Sequence, residues 1–187
     1  VVSWLKKGVC SFSDMTNIPK NLIEYLSDNC YISTATVERK LVSKIDDTVK
    51  YLFSFNDGEC VESVVMKYNH GYSICISTQV GCKMGCTFCA TGKSGYSRDL
   101  TASEMIAQIE SAQRDLGIRI SNVVLMGMGE PLDNYDNVIR FVKLLNSRDG
   151  ADIRQRHITL STCGLADKIY KLADEDLPIN LAISLHA

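Results

Sequence analysis

No run in this 187-residue chain approaches the roughly 20 consecutive apolar residues that a membrane-spanning helix needs, so no such helix is expected within it. The first residues do not form a secretory leader pattern either: Val1 to Trp4 is a short apolar run, and Lys6, Lys7 and Gly8 follow at once. An excess of one charge is also lacking. With 20 Lys and Arg against 22 Asp and Glu, the net charge of −2 gives no global attraction to a phosphate backbone. Any nucleic-acid contact must therefore come from local basic groups such as Lys6, Lys7, Lys83, Lys93, Arg98, Arg154 and Arg156, each of which is by default a solvated surface charge. Eight cysteines are too few for a disulfide-dense mini-domain of this length and many for a reducing compartment, so their spacing decides their role. Cys10, Cys30, Cys60 and Cys163 are isolated, and each is expected to be a small buried apolar side chain.

What is present divides near residue 70. The first 30 residues suggest two short helices, the second opened by Pro19 ahead of Leu22, Ile23, Tyr25 and Leu26. From Thr34 to Ile45, Val49 to Phe55 and Cys60 to Lys67, β-branched runs separated by Asp46-Asp47 and Asn56-Asp57-Gly58 predict three antiparallel strands. Asn69-His70-Gly71 marks a junction, beyond which strand and helix alternate. Strands are predicted at Tyr72 to Ser77, Asn122 to Met126, His157 to Ser161 and Ile179 to Ser184. Helices fall at Thr101 to Leu116, Asn137 to Asn146 and Leu165 to Ala173, the first opened by a Thr101/Glu104 capping box. Such repeats of about 30 residues imply a parallel sheet or barrel, with chemistry at the carboxyl ends of its strands. The chain stops at Leu185-His186-Ala187 directly after a strand, and it is expected to be part of a longer protein.

The chemistry is concentrated in Gly81-Cys82-Lys83-Met84-Gly85-Cys86-Thr87-Phe88-Cys89, a C-x3-C-x2-C loop just after a strand. A closed structural zinc site uses four ligands, commonly as two separated cysteine pairs. An Fe-S cluster held by three cysteines leaves one iron open. The glycines allow tight wrapping, and Phe88 is placed to shield the group from water. The zinc alternative would need a histidine such as His70 or His157 as fourth ligand. A second motif, Met126-Gly127-Met128-Gly129-Glu130-Pro131, follows the next strand, where glycines let backbone approach a ligand and a carboxylate can bind an amine.

The three-cysteine loop with an aromatic before its last cysteine resembles the signature of the radical S-adenosylmethionine (SAM) superfamily. The resemblance implies a 4Fe-4S cluster on Cys82, Cys86 and Cys89 and SAM chelated to the open iron, cleaved to a 5′-deoxyadenosyl radical. Gly129 and Glu130 then match the segment that holds the SAM amino group. Gly81 to Gly92 with Arg98 to Leu100, Met126 to Leu132 with Asn134 to Ile139, His157 to Leu165 and Asn180 to Ala187 are similar to the RlmN/Cfr family of RNA methyltransferases. The likeness favours its housekeeping branch over its resistance branch. It implies methylation of adenosine carbon 2 in 23S rRNA and, next to the anticodon, in tRNA, by way of a methylated cysteine.

By the same resemblance Cys75, seven positions before Cys82, is the resolving cysteine that closes a disulfide, and Glu62 is the proton acceptor. Taken bottom-up, Cys75 is a buried strand thiol and Glu62 the exposed position of an edge strand. Ser161, Ser184, Leu185 and His186 match SAM contacts at strand ends. The methyl-carrying cysteine falls past residue 187, so the chain alone is expected to lack full turnover. The implied fold is α/β, a partial (β/α)6-type barrel of about four strands over 71–187 after a small α+β module over 1–70 that helps dock RNA. An external flavodoxin-like electron donor, a monomeric state and a cytoplasmic location complete the implied picture. Two alternatives stay open: a radical SAM enzyme for a small molecule or peptide, and a zinc-binding module without activity.

Overall fold

The computed structural model describes residues 1–5, 7–69, 71–147 and 153–185. Ahead of the sheet lie α1 (Val2–Leu5), a 3-10 turn (Phe12–Asp14) and α2 (Lys20–Asn29), the last entered through Pro19. Three antiparallel strands follow: β1 (Thr36–Val42), β2 (Val49–Ser54) and β3 (Cys60–Tyr68). Their turns form because Asp46 accepts a hydrogen bond from the Thr48 amide and Asp57 one from the Glu59 amide. β4 (Gly71–Ile76) returns against β3 and is followed by β5 (Gln79–Gly81), α3 (Ala90–Lys93) and β6 (Tyr96–Asp99). The chain then alternates through α4 (Ala102–Leu116), β7 (Ile120–Leu125), α5 (Tyr135–Asn146), β8 (Ile158–Thr162), α6 (Ala166–Ala173) and β9 (Asn180–Ile183).

One seven-stranded sheet results, in the order β1-β2-β3-β4-β7-β8-β9. From β4 onward the pairs are parallel, giving the four parallel strands expected from the alternating pattern. Tyr68 pairs opposite Gly71, so the antiparallel strands and the parallel ones belong to one sheet. Gly71 is required there: its φ is +120°, and a Cβ would come 2.6 Å from Ser121 Oγ.

Period-two alternation sends Tyr51, Phe53, Val61, Val65, Ile74, Ile76, Val123, Leu125, Ile158 and Leu160 to one face. There they pack with Met105, Ile109, Val138 and Phe141 of α4 and α5 in one apolar core. Helix α4 begins with the predicted capping box and ends at Gly117, whose φ of 63° is left-handed. The opposite face is less covered: Lys50 and Glu62 are exposed, and Val64, Cys75 and Val124 are half-buried.

Two expectations fail here. Cys10, Cys30 and Cys163 are exposed and Cys60 is half-buried, so none of the four isolated cysteines is the buried apolar residue expected. The β5-β6 ribbon was not foreseen, because a three-residue strand carries no periodicity to detect. Among the described residues no helix is long and apolar enough to cross a membrane.

Candidate functional site

The cysteine loop leaves the carboxyl end of β4 through β5, and β6 closes a ribbon around it. Gly81 has a φ of +77°, and a Cβ on it would lie 1.9 Å from the Gly95 carbonyl oxygen, so the ribbon needs glycine at this position. The Cys82 amide donates to that same oxygen at 2.9 Å, and the Cys89 amide to the Cys86 carbonyl at 3.0 Å. All three thiols are half-buried. Burial pushes the Cys82 thiol up, and the negative charges of Glu130, Cys86 and Cys89 push it further. Cys82, Cys86 and Cys89 thus stand near one another on one loop as a candidate ligand set.

Among the described residues no three His, Cys, Asp or Glu side chains are arranged to hold a single metal ion. His157 sits where the chain enters β8, at the sheet's other end, with Nδ1 2.8 Å from Asn122 Oδ1. His70 lies outside the described residues. Three half-buried thiols on one loop are one ligand short of a closed tetrahedral ion and match the number that would hold an Fe-S cluster with one open iron. Phe88, the aromatic before the last cysteine, is 63% exposed.

The glycine-rich segment follows β7 at the same edge of the sheet. Its glycines serve the protein's own backbone: a Cβ on Gly127 would lie 2.6 Å from the Ile76 carbonyl oxygen, and one on Gly129 2.6 Å from Gln79 Cβ. Glu130 is buried, 4% exposed, and its carboxylate accepts the Leu132 amide at 3.0 Å and the Cys163 amide at 2.8 Å. Cys163 thus belongs to the site rather than to the core. Burial, then a hydrogen bond to Glu130, pushes its thiol up to about 11. From β8 and its neighbour, Ser161 Oγ lies 3.2 Å from Ser184 Oγ; Ser161 is buried and Ser184 exposed. Leu185 is 88% exposed, and His186 lies outside the described residues.

Cys75 and Glu62 share the open face of the sheet. Cys75 stands opposite Val64 on β3 and Val124 on β7, and Glu62 is two residues from Val64, so the two are diagonal neighbours, a spacing of roughly 7–8 Å. Glu62 pairs with Lys50 across the strands at 2.7 Å. Burial pushes the Cys75 thiol up, partly offset by a backbone hydrogen bond from Met126.

Three buried amides missed in the sequence hold this arrangement together. Gln79 links the β6 ribbon to the Glu130 loop through Asp99, Asp133 and the Glu130 amide. Gln108 accepts from the Ser63 hydroxyl and the Ser77 amide, and donates to the Ser77 carbonyl. Asn134 donates to the carbonyls of Thr78 and Leu100. The one available signal was Gln108, a polar residue inside the apolar stripe of Met105, Ile109 and Ala112. Of the basic candidates, Arg98 is bound to Asp57 and Glu104 and Lys83 to Asp133, while Lys6 lies outside the described residues.

A parallel-stranded sheet that gathers three thiols, a buried carboxylate and a serine at its carboxyl edge defines a class, and the family comparison agrees: the Radical SAM superfamily model matches residues 76–187. The chain belongs to the radical SAM superfamily, whose members use a 4Fe-4S cluster and SAM. It is 58% identical over 184 residues to the probable dual-specificity RNA methyltransferase RlmN of Clostridium acetobutylicum, covering 98% of this chain and 53% of that protein. The protein of the same name from Clostridium tetani is 56% identical, with 100% of this chain and 54% of that protein covered. A solved radical SAM methyltransferase from Sphaerobacter thermophilus superposes with a TM-score of 0.89 at 40% identity, over 97% of this chain and 54% of that one. The chain thus spans about half the length of the curated relatives it matches.

Proposed function

We propose that this chain is the cluster- and SAM-binding part of an RNA methyltransferase that methylates carbon 2 of adenosine in 23S rRNA and, beside the anticodon, in tRNA. The observation that carries the reading is the placement of Cys75 and Glu62 on one open sheet face, next to the edge where Cys82, Cys86, Cys89 and Glu130 converge. When bound, the cluster and SAM supply one-electron chemistry. Cys82, Cys86 and Cys89 hold the cluster, Glu130 with the Gly129 turn holds the SAM amino group, and Ser161, Ser184, Leu185 and His186 line the rest of SAM.

Cys75 resolves a protein-RNA adduct by disulfide formation with a cysteine beyond residue 187. Glu62 takes the proton from carbon 2 of the adenine. Lys50, 2.7 Å from Glu62, keeps that carboxylate in the sheet face. Residues 1–70 help dock RNA, and 71–187 carry cluster and SAM. The whole protein works as a cytoplasmic monomer with a flavodoxin-like electron donor.

Mass spectrometry of rRNA and tRNA treated with the full-length protein tests this reading. 2-Methyladenosine is expected with the parent, and a trapped protein-RNA adduct with Cys75→Ala. Methylation at another atom, or full turnover by Cys75→Ala, would overturn it. A reconstituted protein without the broad absorption of a 4Fe-4S cluster would overturn the cofactor assignment to Cys82, Cys86 and Cys89.

A further inference from the structure

Gln79 is wholly buried and uses every polar atom of its side chain. Its amide nitrogen donates to Asp99 at 2.7 Å and to Asp133 at 2.8 Å, and its carbonyl oxygen accepts the backbone N–H of Glu130 at 2.9 Å. Two donors facing two carboxylates and one acceptor facing an amide form a complement that a glutamine meets and a glutamate or methionine does not. The contacts also close on themselves. Asp133 pairs with Lys83 at 3.0 Å, the Lys83 ammonium lies 4.1 Å from the centre of the Tyr96 ring, and the Tyr96 hydroxyl donates to Asp99 at 3.0 Å. Lys83 is the immediate neighbour of Cys82, so the ring runs from the cysteine loop to the Glu130 loop and back.

Glu130 can move neither toward Gln79 nor away from it. Approach is limited because Gly129 already packs so closely that a Cβ would meet Gln79 Cβ at 2.6 Å and its backbone nitrogen at 2.8 Å. Withdrawal breaks the hydrogen bond to the Glu130 amide and leaves buried polar groups unpaired, which is costly. The cysteine loop keeps backbone hydrogen bonds of its own, at Cys82 and Cys89, that do not involve Gln79.

We propose that Gln79 is a positioning residue that fixes Glu130 against the cysteine loop and thereby sets how tightly the SAM amino group is held beside the cluster. The proposal rests on the assignment of Glu130 to SAM and of the three cysteines to the cluster. It makes SAM binding, and not cluster assembly, the property that depends on Gln79.

The test uses the full-length protein, reconstituted anaerobically, as Gln79→Met, which removes the hydrogen bonds without adding charge, and as Gln79→Glu, which sets a third carboxylate beside Asp99 and Asp133. Iron and sulfide content, SAM affinity by equilibrium dialysis and the electron paramagnetic resonance spectrum of the reduced cluster with and without SAM are measured. Both variants are expected to hold as much iron as the parent, to bind SAM at least tenfold more weakly, and to lose the SAM-induced spectral change at a concentration that saturates the parent. Adding Asp133→Asn to Gln79→Glu gives the new carboxylate an amide donor and is expected to recover part of the affinity. Unchanged affinity in Gln79→Met with the cluster intact would overturn the proposal, as would loss of iron in step with loss of SAM binding. Glu130→Gln, measured alongside, separates the two ideas. Normal SAM binding there removes the Glu130 assignment and with it the route through which Gln79 acts. Lost binding there beside normal binding in both Gln79 variants overturns this proposal alone.

Discussion

A methyl group on Gly129 would sit 2.6 Å from Gln79 Cβ, on a backbone with φ of +99°. Gly58 in the β2-β3 turn has a φ of +82° but open space where its Cβ would be. The pair separates two costs of replacing glycine. Gly58→Ala is expected to lose only the conformational part, about 1 kcal/mol, whereas Gly129→Ala adds overpacking and loses roughly 2–5 kcal/mol in urea unfolding. Equal losses at the two positions would show that contact with Gln79 contributes nothing. The same residues show what a sequence conceals. The motif around Gly127 to Glu130 stood out, but its glycines fit against Ile76 and Gln79, some 50 positions earlier, and no local pattern encodes that contact. Cys163 was invisible for a related reason: its position is set by its bond to Glu130. Cys82, Cys86 and Cys89 could be singled out as candidate ligands because their spacing is local.

At the scale of elements, alternation and capping located the long strands and helices, since each buries a stripe whose period is written in the chain. The β5-β6 ribbon escaped because its reason for existing is the loop that it frames. How the antiparallel strands dock on α4 was equally hidden. In β2 the Tyr51 ring stacks on Phe53 with centroids 5.0 Å apart, and its hydroxyl donates to Asp115 of α4 at 2.5 Å, where Lys40 of β1 also pairs. Burial, then the hydrogen bond and charge of Asp115, raise the Tyr51 phenol well above its ordinary value. Hydrogen bonds from Lys40 and Tyr51 hold Asp115 below the usual carboxylate range. A raised phenol favours the protonated folded state, so its contribution is complete below the ordinary tyrosine value of 10.0 and is lost as pH climbs beyond it. Asp115 acts oppositely, with stability present above its unfolded value and lost as pH falls through its folded one. Tyr51→Phe is therefore expected to lower stability at neutral pH by about 1 kcal/mol and to flatten the decline on the alkaline side. Urea midpoints measured across that range check it. Parallel curves for parent and variant would mean that Tyr51 does not titrate against folding.

For the whole molecule, the decisive fact is that β4 pairs with an antiparallel strand on one side and a parallel strand on the other. That double pairing puts Glu62, contributed before residue 70, on the same face as Cys75, contributed after it, and no arrangement with a hinge at the junction would hold the two in register. The chain's two parts can then differ in task while sharing one core, and protection against amide hydrogen exchange is expected to follow the sheet rather than the sequence. β3, β4 and β7, with buried partners in α4 and α5, are expected to exchange slowest and together. β1, all of whose residues are exposed, and α2, which buries none, are expected to exchange first although they lie in the same 1–70 stretch as β3. Native-state exchange read by mass spectrometry distinguishes this gradient from its competitor. If 36–68 opened as one block well before 71–125, β3 and β4 would be separable, and the shared face that brings Glu62 to Cys75 would be a docking of two units instead of a property of one sheet.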